Sequence, residues 1–167
     1  MYTNKKDLKE RKELLPYDVL GRSLSQAAFF PTDLKALLEG IEKPLIMLSD
    51  NEDIEVLKQA DLIISSKGLD EISMLKRYTN KPLLFKDDFF DEYQLLEALV
   101  YGADGVFFAK GFSKKLVDFA HHLGLFAAIR VDGKIALLKA VAADFDIFFA
   151  AKKLLSALPE GKIGLEL

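Results

Sequence analysis

The stretch from Lys81 to Phe108, KPLLFKDDFFDEYQLLEALVYGADGVFF, contains one complete strand–helix–strand unit. PLLFKD predicts a strand, DEYQLLEALVYG an amphipathic helix and DGVFFA the following strand. Gly102 is placed to end the helix, because glycine readily adopts the left-handed conformation found at helix C-termini. The strands are apolar at nearly every position, which is typical of parallel strands covered by helices.

The same unit recurs along the chain from residue 41 onward, with a period of about 20–25 residues. Strands are predicted at 44–50, 61–66, 82–87, 104–109, 125–131, 146–151 and 162–167, and helices at 51–60, 69–78, 91–102, 113–124, 133–143 and 152–159. A complete barrel of this kind needs roughly 200–250 residues, whereas the chain has 167. We therefore expect an α/β fold, a reduced (β/α) TIM-like barrel of seven parallel strands; a doubly wound sheet is the alternative.

Residues 1–40 predict an N-terminal helical arm on this barrel, within one domain spanning 1–167. The segment NKKDLKERKE is densely charged and is expected to form a solvated helix or frayed arm. Pro31, Thr32 and Asp33 offer the start of a later helix, and Gly40 its end. The arm also carries the apolar residues Leu14, Leu15, Val19, Leu24, Phe29 and Phe30. We expect the arm to pack on the barrel or on a second chain. A protein partner or homo-oligomer would then use these helices or an open barrel edge.

The composition excludes several function classes. Half of the residues are hydrophobic and the net charge is -3, which is unlike a disordered chain. Without basic runs or an apolar run of about 20 residues, we expect neither nucleic-acid binding nor membrane insertion, and a cytoplasmic location. There is no cysteine, and the two histidines are adjacent, so neither a thiolate nucleophile nor a metal held by cysteines or by a helical pair of histidines is predicted. No cofactor is expected.

Four short motifs carry a family resemblance: Lys86-Asp87, Tyr93-Gln94, Glu97-Ala98 and Gly102-Ala103-Asp104. In this order and spacing they resemble the indole-3-glycerol phosphate synthase family, whose members are barrel enzymes of tryptophan biosynthesis that close an indole ring with decarboxylation and dehydration. The resemblance implies that Lys86 stands where the family has its general-acid lysine and that Glu166 matches a family carboxylate.

Other positions depart from the family pattern. Leu48 and Asp50 stand where the family has glutamate and lysine, Arg130 replaces a glutamate, and Asp88 replaces an aromatic residue. Ala150 and Lys152 replace an asparagine–arginine pair. The loops after strands seven and eight, which commonly hold a substrate phosphate in such barrels, are also missing from the sequence.

These departures predict a catalytically degenerate barrel that serves as a protein-binding or scaffolding module. Two alternatives remain: a binder of anions or sugar phosphates, or a residual synthase activity. The residues expected to contact a ligand are Asp50, Asp88, Arg130 and Lys152.

Three local patterns allow both a chemical and a structural interpretation. Lys86 could polarise a carbonyl group, but tethering by Asp87 or Asp88 is favoured. Asp50, Asp87 and Asp88 could converge on a hard cation, but capping of the following helices by Asp50 and Asp88 is favoured. The phenylalanine pairs at 29–30, 89–90, 107–108 and 148–149 are expected to be core; where they lie in strands, one ring should enter the barrel and the other should lie under the helices.

Overall fold

A computed structural model of the chain describes residues 3–26, 30–50 and 52–166. Its strands are β1 (Ile46–Leu48), β2 (Leu62–Ser65), β3 (Leu83–Asp87), β4 (Gly105–Phe108), β5 (Phe126–Arg130), β6 (Ile147–Phe149) and β7 (Ile163–Leu165). Its α-helices are α1 (Lys5–Leu14), α2 (Tyr17–Arg22), α3 (Leu34–Leu38), α4 (Ile54–Leu57), α5 (Leu69–Thr79), α6 (Glu92–Tyr101), α7 (Lys114–His122), α8 (Lys134–Ala142) and α9 (Lys152–Leu155). Among these described residues, no helix has the length and apolar character to cross a bilayer.

The seven strands form one parallel sheet in the order of the sequence, β1 to β7. A doubly wound sheet reverses its strand order part-way, so that alternative is wrong. Inner-face side chains from β2 to β7 pack into a single apolar cluster, because the sheet curls around them. The fold is therefore a half-barrel with helices between its strands, a reduced TIM-like α/β fold as expected.

The strand phenylalanines separate into two layers as their alternation predicts. Phe107 and Phe149 belong to the inner cluster, whereas Phe108 and Phe148 lie in the outer cluster beneath the helices. Phe89 is buried in the outer cluster, but Phe90 and Phe30 are exposed, so the expectation that these two rings belong to the core is wrong. Phe29 lies outside the described residues.

Local capping signals set the helix boundaries around β3 and β4. Asp91 and Gln94 form a capping box at the start of α6, and Gly102 ends that helix with φ 103°. Ser113 caps α7 through the Leu116 amide. The expectation that Asp50 and Asp88 cap helices is wrong, because the N-cap residue of α4 is Asp53 and that of α6 is Asp91.

The N-terminal arm packs on the barrel. Arg11 on α1 donates from Nε to Glu97 Oε1 at 2.7 Å, and Leu8 and Leu20 pack against Tyr93 and Leu96 of α6. The charged first helix is therefore docked rather than frayed, because its few apolar residues and one guanidinium group share a face.

The helix α3 closes the N-terminal end of the barrel interior. Leu34 and Leu38 are buried in the same cluster as the inner strand residues. Of the three residues that the sequence offered as its start, Asp33 is the N-cap and accepts a hydrogen bond from the Ala36 amide, and the helix ends at Leu38, two residues before the predicted Gly40. With this end covered, the carboxyl ends of the strands form the open mouth of the half-barrel.

Candidate functional site

The mouth of the half-barrel carries two cationic side chains beside a pair of phenylalanine rings. Phe107 and Phe149 stack with centroids 5.0 Å apart and an interplanar angle of 16°. The ammonium group of Lys86 lies 5.1 Å from the centroid of Phe107. Barrel enzymes place their chemistry at this end of the strands, so we take this cluster as the candidate site.

The strand register puts both cations on the inner face. Lys86 follows the inner residue Leu84 by two positions, and Arg130 follows the inner residue Ala128 by two. Lys86 pairs with Phe107 across β3 and β4, and Arg130 pairs with Phe149 across β5 and β6. Each cation therefore lies beside one ring of the stack.

A small pocket opens next to Arg130. It has a volume of about 160 Å³ and is lined by Arg130, Asp132, Phe149, Ala150 and Ala151. The guanidinium Nε lies 3.2 Å from Asp132 Oδ1, with both side chains well exposed. An exposed pair of this kind is weak, so an incoming anion can compete for Arg130.

The neighbouring aspartates do not tether Lys86. Asp87 Oδ1 accepts a hydrogen bond from the Thr3 amide at 3.2 Å, and Asp88 Oδ2 lies 3.7 Å from the ammonium of Lys110. None of the ion pairs between described residues includes Lys86. The favoured interpretation of Lys86 as a tethered lysine is therefore replaced by a cation over an aromatic face.

The acidic residues do not gather into a cation site. Asp87 is fully buried on the helix side of β3, whereas Asp50 is exposed beyond the end of β1. Within the described ranges, no group of three histidine or acidic side chains is arranged to hold a metal ion. The three aspartates singled out in the sequence thus serve different parts of the fold.

The remaining expected site residues lie at a second place, beside β7. Glu166 and Lys152 line a groove between β1 and β7 with a volume of about 590 Å³. Ile163 and Leu165 pack against or within the inner cluster, so the alternation along β7 directs Glu166 off that face. The structure therefore does not bring Glu166 together with Lys86.

A partly buried network at the ends of β1 and β2 was not predicted from the sequence. The hydroxyls of Ser49 and Ser65 both donate to Glu71 Oε2, the first at 2.9 Å. Lys67 lies 3.7 Å from Glu71 Oε1. A sequence pattern that could have predicted this network was present, because both apolar strands are closed by a serine and the first turn of α5 carries an acidic residue. The network fixes the mouth ends of β1 and β2 to α5.

Comparison with known proteins identifies the family. No family model matches the chain. It is 42% identical to the indole-3-glycerol phosphate synthase of Campylobacter jejuni subsp. doylei, over 86% of this chain and 67% of that protein. It is 35% identical to the synthase of Campylobacter hominis, over 95% of this chain and 78% of that one. The chain belongs to the indole-3-glycerol phosphate synthase family.

The alignments also show that this member of the indole-3-glycerol phosphate synthase family is shortened internally. The alignment with the Campylobacter hominis synthase extends over 205 positions, more than the 167 residues of the chain. The relative therefore has segments within the aligned region that this chain lacks. A solved thiamine phosphate pyrophosphorylase from Pyrococcus furiosus shares the fold, with a TM-score of 0.54 at 14% identity over 74% of each chain.

Proposed function

We propose that this indole-3-glycerol phosphate synthase family member binds a phosphorylated aromatic ligand of the indole-3-glycerol phosphate type at its mouth. We further propose that Lys86 is the general acid of a residual synthase reaction. The observation that supports this function is the placement of Lys86 and Arg130 beside the stacked Phe107 and Phe149 rings.

The chemistry of the cluster suits such a ligand. Phe107 and Phe149 are 2% and 0% exposed, so their stacked pair forms an apolar floor beneath the mouth, and the edge of a ligand ring would rest on this floor. A guanidinium group can hold a carboxylate or phosphate through two parallel hydrogen bonds, and an ammonium group adds a second positive charge. A planar ring with an anionic substituent would satisfy both features at once.

The same geometry limits the rate of turnover. A general acid works with a partner base held within hydrogen-bond reach of the reacting atoms. Leu48 cannot transfer a proton, Arg130 has the opposite charge, and Glu166 lies off the inner face. We therefore expect ligand binding to be retained and turnover to be slow.

The scaffolding role expected from the sequence gains no support from the two Campylobacter relatives described above, which are both named as synthases. The scaffolding role therefore stays a prediction, and so does the cytoplasmic location. The scaffolding role would become the better explanation if neither ligand binding nor turnover were found.

A fluorescence titration with indole-3-glycerol phosphate tests the binding part. The chain has no tryptophan, so indole emission reports the ligand alone. We expect saturable binding that weakens at least tenfold in Arg130→Gln and in Lys86→Met. Lys114→Met on α7, where the ammonium pairs with Asp118, should leave the affinity unchanged. Absence of saturation with the wild-type protein at millimolar ligand would refute the proposed site.

A turnover assay tests the role of Lys86. The family's open-chain substrate, carboxyphenylamino-deoxyribulose phosphate, is incubated with the protein and the growth of indole fluorescence is followed. We expect a slow signal that Lys86→Met abolishes and Lys114→Met preserves. If Lys86→Met turned over substrate at the wild-type rate, Lys86 would not be the general acid, and the binding proposal would be unaffected.

A further inference from the structure

The pocket beside Arg130 contains an acidic side chain that the binding of an anion does not require. Arg130 Nε lies 3.2 Å from Asp132 Oδ1, and both residues line the pocket of about 160 Å³. A carboxylate so close to the guanidinium group repels a phosphate or carboxylate group that approaches the same cation. Asp132 therefore weakens the binding of any ligand that offers negative charge alone.

The end of β5 fixes where Asp132 lies relative to Arg130. Val131, between them, is buried in the outer cluster beneath the helices, and its amide donates to the Phe149 carbonyl at 2.9 Å. Since side chains alternate along an extended strand, the residues on either side of Val131 lie on the opposite, inner side. Asp132 is thus held on the mouth side, next to Arg130.

The fold does not use the Asp132 carboxylate in the way that aspartates before helices are often used. Such an aspartate commonly accepts a hydrogen bond from an amide in the first turn of the helix. Here the N-cap residue of α8 is Gly133, and no side chain caps the helix. Among the described residues, the only donor to the Asp132 carboxylate is Arg130. This pair is exposed, so the carboxylate is accessible to a ligand.

Adjacent charges of opposite sign suit a ligand that carries an anionic group next to a hydrogen-bond donor. Arg130 can hold the anion through parallel N–H bonds. The ionised Asp132 carboxylate can only accept hydrogen bonds, so it would take one from a neighbouring hydroxyl group of the ligand. The two residues together recognise a hydroxylated chain that ends in a phosphate.

The size and position of the pocket also indicate a chain rather than a ring. Pockets that enclose a whole ligand have volumes of about 300–1,000 Å³, whereas this one has about 160 Å³. Phe149 belongs both to the stacked pair that forms the floor of the mouth and to the lining of the pocket. A ring resting on the floor and a chain lying in the pocket can therefore belong to the same molecule.

We propose that Asp132 is a specificity-determining residue that selects ligands with a hydroxyl group close to their phosphate. This role rests on the proposed function, since it presupposes a phosphorylated aromatic ligand. In indole-3-glycerol phosphate the hydroxyl groups lie on the three-carbon chain between the ring and the phosphate. A site that hydrogen-bonds a ligand hydroxyl group disfavours an analogue without it, because the protein group then loses its partner.

A fluorescence titration with two ligands tests this role. The first ligand is indole-3-glycerol phosphate, and the second is 3-(indol-3-yl)propyl phosphate, which has the same ring, chain length and phosphate but no hydroxyl group. Because the chain has no tryptophan, indole emission reports either ligand alone. We expect the wild-type protein to bind the hydroxylated ligand at least fivefold more tightly.

Substitution of Asp132 should move the two affinities in opposite directions. Asp132→Ala removes the acceptor of the hydroxyl group, so the glycerol phosphate should bind at least fivefold more weakly. The same change removes the charge that opposes the phosphate, so the propyl phosphate should bind at least twofold more tightly. A merely structural loss would weaken both ligands. The exposed pair contributes little to stability, so the variant is expected to fold.

Two further variants separate the charge from the hydrogen bond. Asp132→Asn removes the charge but keeps an acceptor oxygen, so it should tighten the propyl phosphate and retain part of the preference for the hydroxylated chain. Asp118→Ala removes a similarly exposed carboxylate from α7 and should change neither affinity.

The two titrations distinguish failure of this role from failure of the proposed function. Equal wild-type affinities for the two ligands, or an equal change of both in Asp132→Ala, would overturn the role of Asp132 and leave the binding site intact. If neither ligand saturated the wild-type protein, the proposed function itself would be refuted and the role of Asp132 with it.

Discussion

Lys76 and Asp104 form a buried ion pair that joins α5 to the loop before β4. The ammonium group donates to both carboxylate oxygens at 2.9 and 2.6 Å, and the two side chains are 5% and 0% exposed. Asp104 also accepts hydrogen bonds from the amides of Thr32 and Leu83. One carboxylate therefore connects the N-terminal arm, α5 and the start of β3.

Removing this carboxylate should be costly. Asp104→Ala leaves an uncompensated buried ammonium and two unpaired amides, so we expect a loss of about 3–5 kcal/mol in the free energy of unfolding. Asp118→Ala, which breaks an exposed pair with Lys114, should cost about 0–1 kcal/mol. Urea denaturation of both variants measures the difference. Equal losses would show that the buried pair is not a main support of the fold.

The pairing of Arg11 with Glu97 should make the docking of α1 depend on pH. Burial raises the pKa of Glu97 above its ordinary 4.5, against the opposing effect of the Arg11 guanidinium. Arg11→Ala should therefore cost about 1–3 kcal/mol at neutral pH, where Glu97 is ionised and buried. The loss should shrink as the pH falls through the raised pKa and Glu97 becomes neutral.

This prediction has a direct control in Lys9→Ala, which removes an exposed cation from the same helix. The free energy of unfolding of each variant is compared with the wild type at pH 7 and pH 4. A cost of Arg11→Ala that is the same at both pH values would mean that the charge of Glu97 is irrelevant to docking.

A histidine in the last turn of α7 should give a second pH dependence. Hydrogen bonding of His121 Nε2 to Asp146 at 2.7 Å raises its pKa above the ordinary 6.5, with smaller contributions from the charges of Asp146 and Asp144 and opposition from burial and Lys162. Because the folded pKa is the higher one, the stabilisation is complete below about pH 6.5 and is lost as the pH rises through the folded value.

The slope of stability against pH in that window measures this effect. It should disappear in His121→Gln and persist in His122→Gln, since His122 is exposed on the same helix. A slope that survives the first substitution would have to come from another group.

Gly105 at the start of β4 should tolerate no side chain. A Cβ there would lie 2.7 Å from both Leu84 Cδ2 and the Phe126 carbonyl oxygen, and a backbone oxygen within the sheet cannot move aside cheaply. We expect Gly105→Ala to lose about 1–3 kcal/mol through overpacking. Gly111→Ala, where nothing lies within 4 Å, should be near neutral. Comparable thermal midpoints for the two variants would contradict the crowding.

Local signals made the order of strands and helices predictable. The Phe107-Phe108 pair indicated a strand between two layers, and Gly102 marked a helix end, because each of these patterns depends only on neighbours in sequence. Pairs such as Arg11 with Glu97, 86 positions apart, depend on how the arm lies on the barrel, which no local pattern specifies.

The candidate site likewise has some positions that the sequence predicts and others that it does not. Lys86 was predictable because a motif and a strand end coincide there, and the register then places it over Phe107. The positions of Glu166 and Lys152 depend on how far the sheet curls and whether β7 meets β1. That geometry is set by the whole barrel rather than by the residues around either side chain.

The sequential strand order has a consequence for how the molecule unfolds. Among the described residues each strand bonds only to its neighbours in sequence, and β1 does not pair with β7, so these seven strands resemble a row of coupled units more than a closed ring. Opening can then begin independently at either end of the row, while the central strands around Phe85 and Phe108 open only with the whole molecule. Native-state exchange should accordingly show a gradient of opening free energies that peaks at β3 and β4.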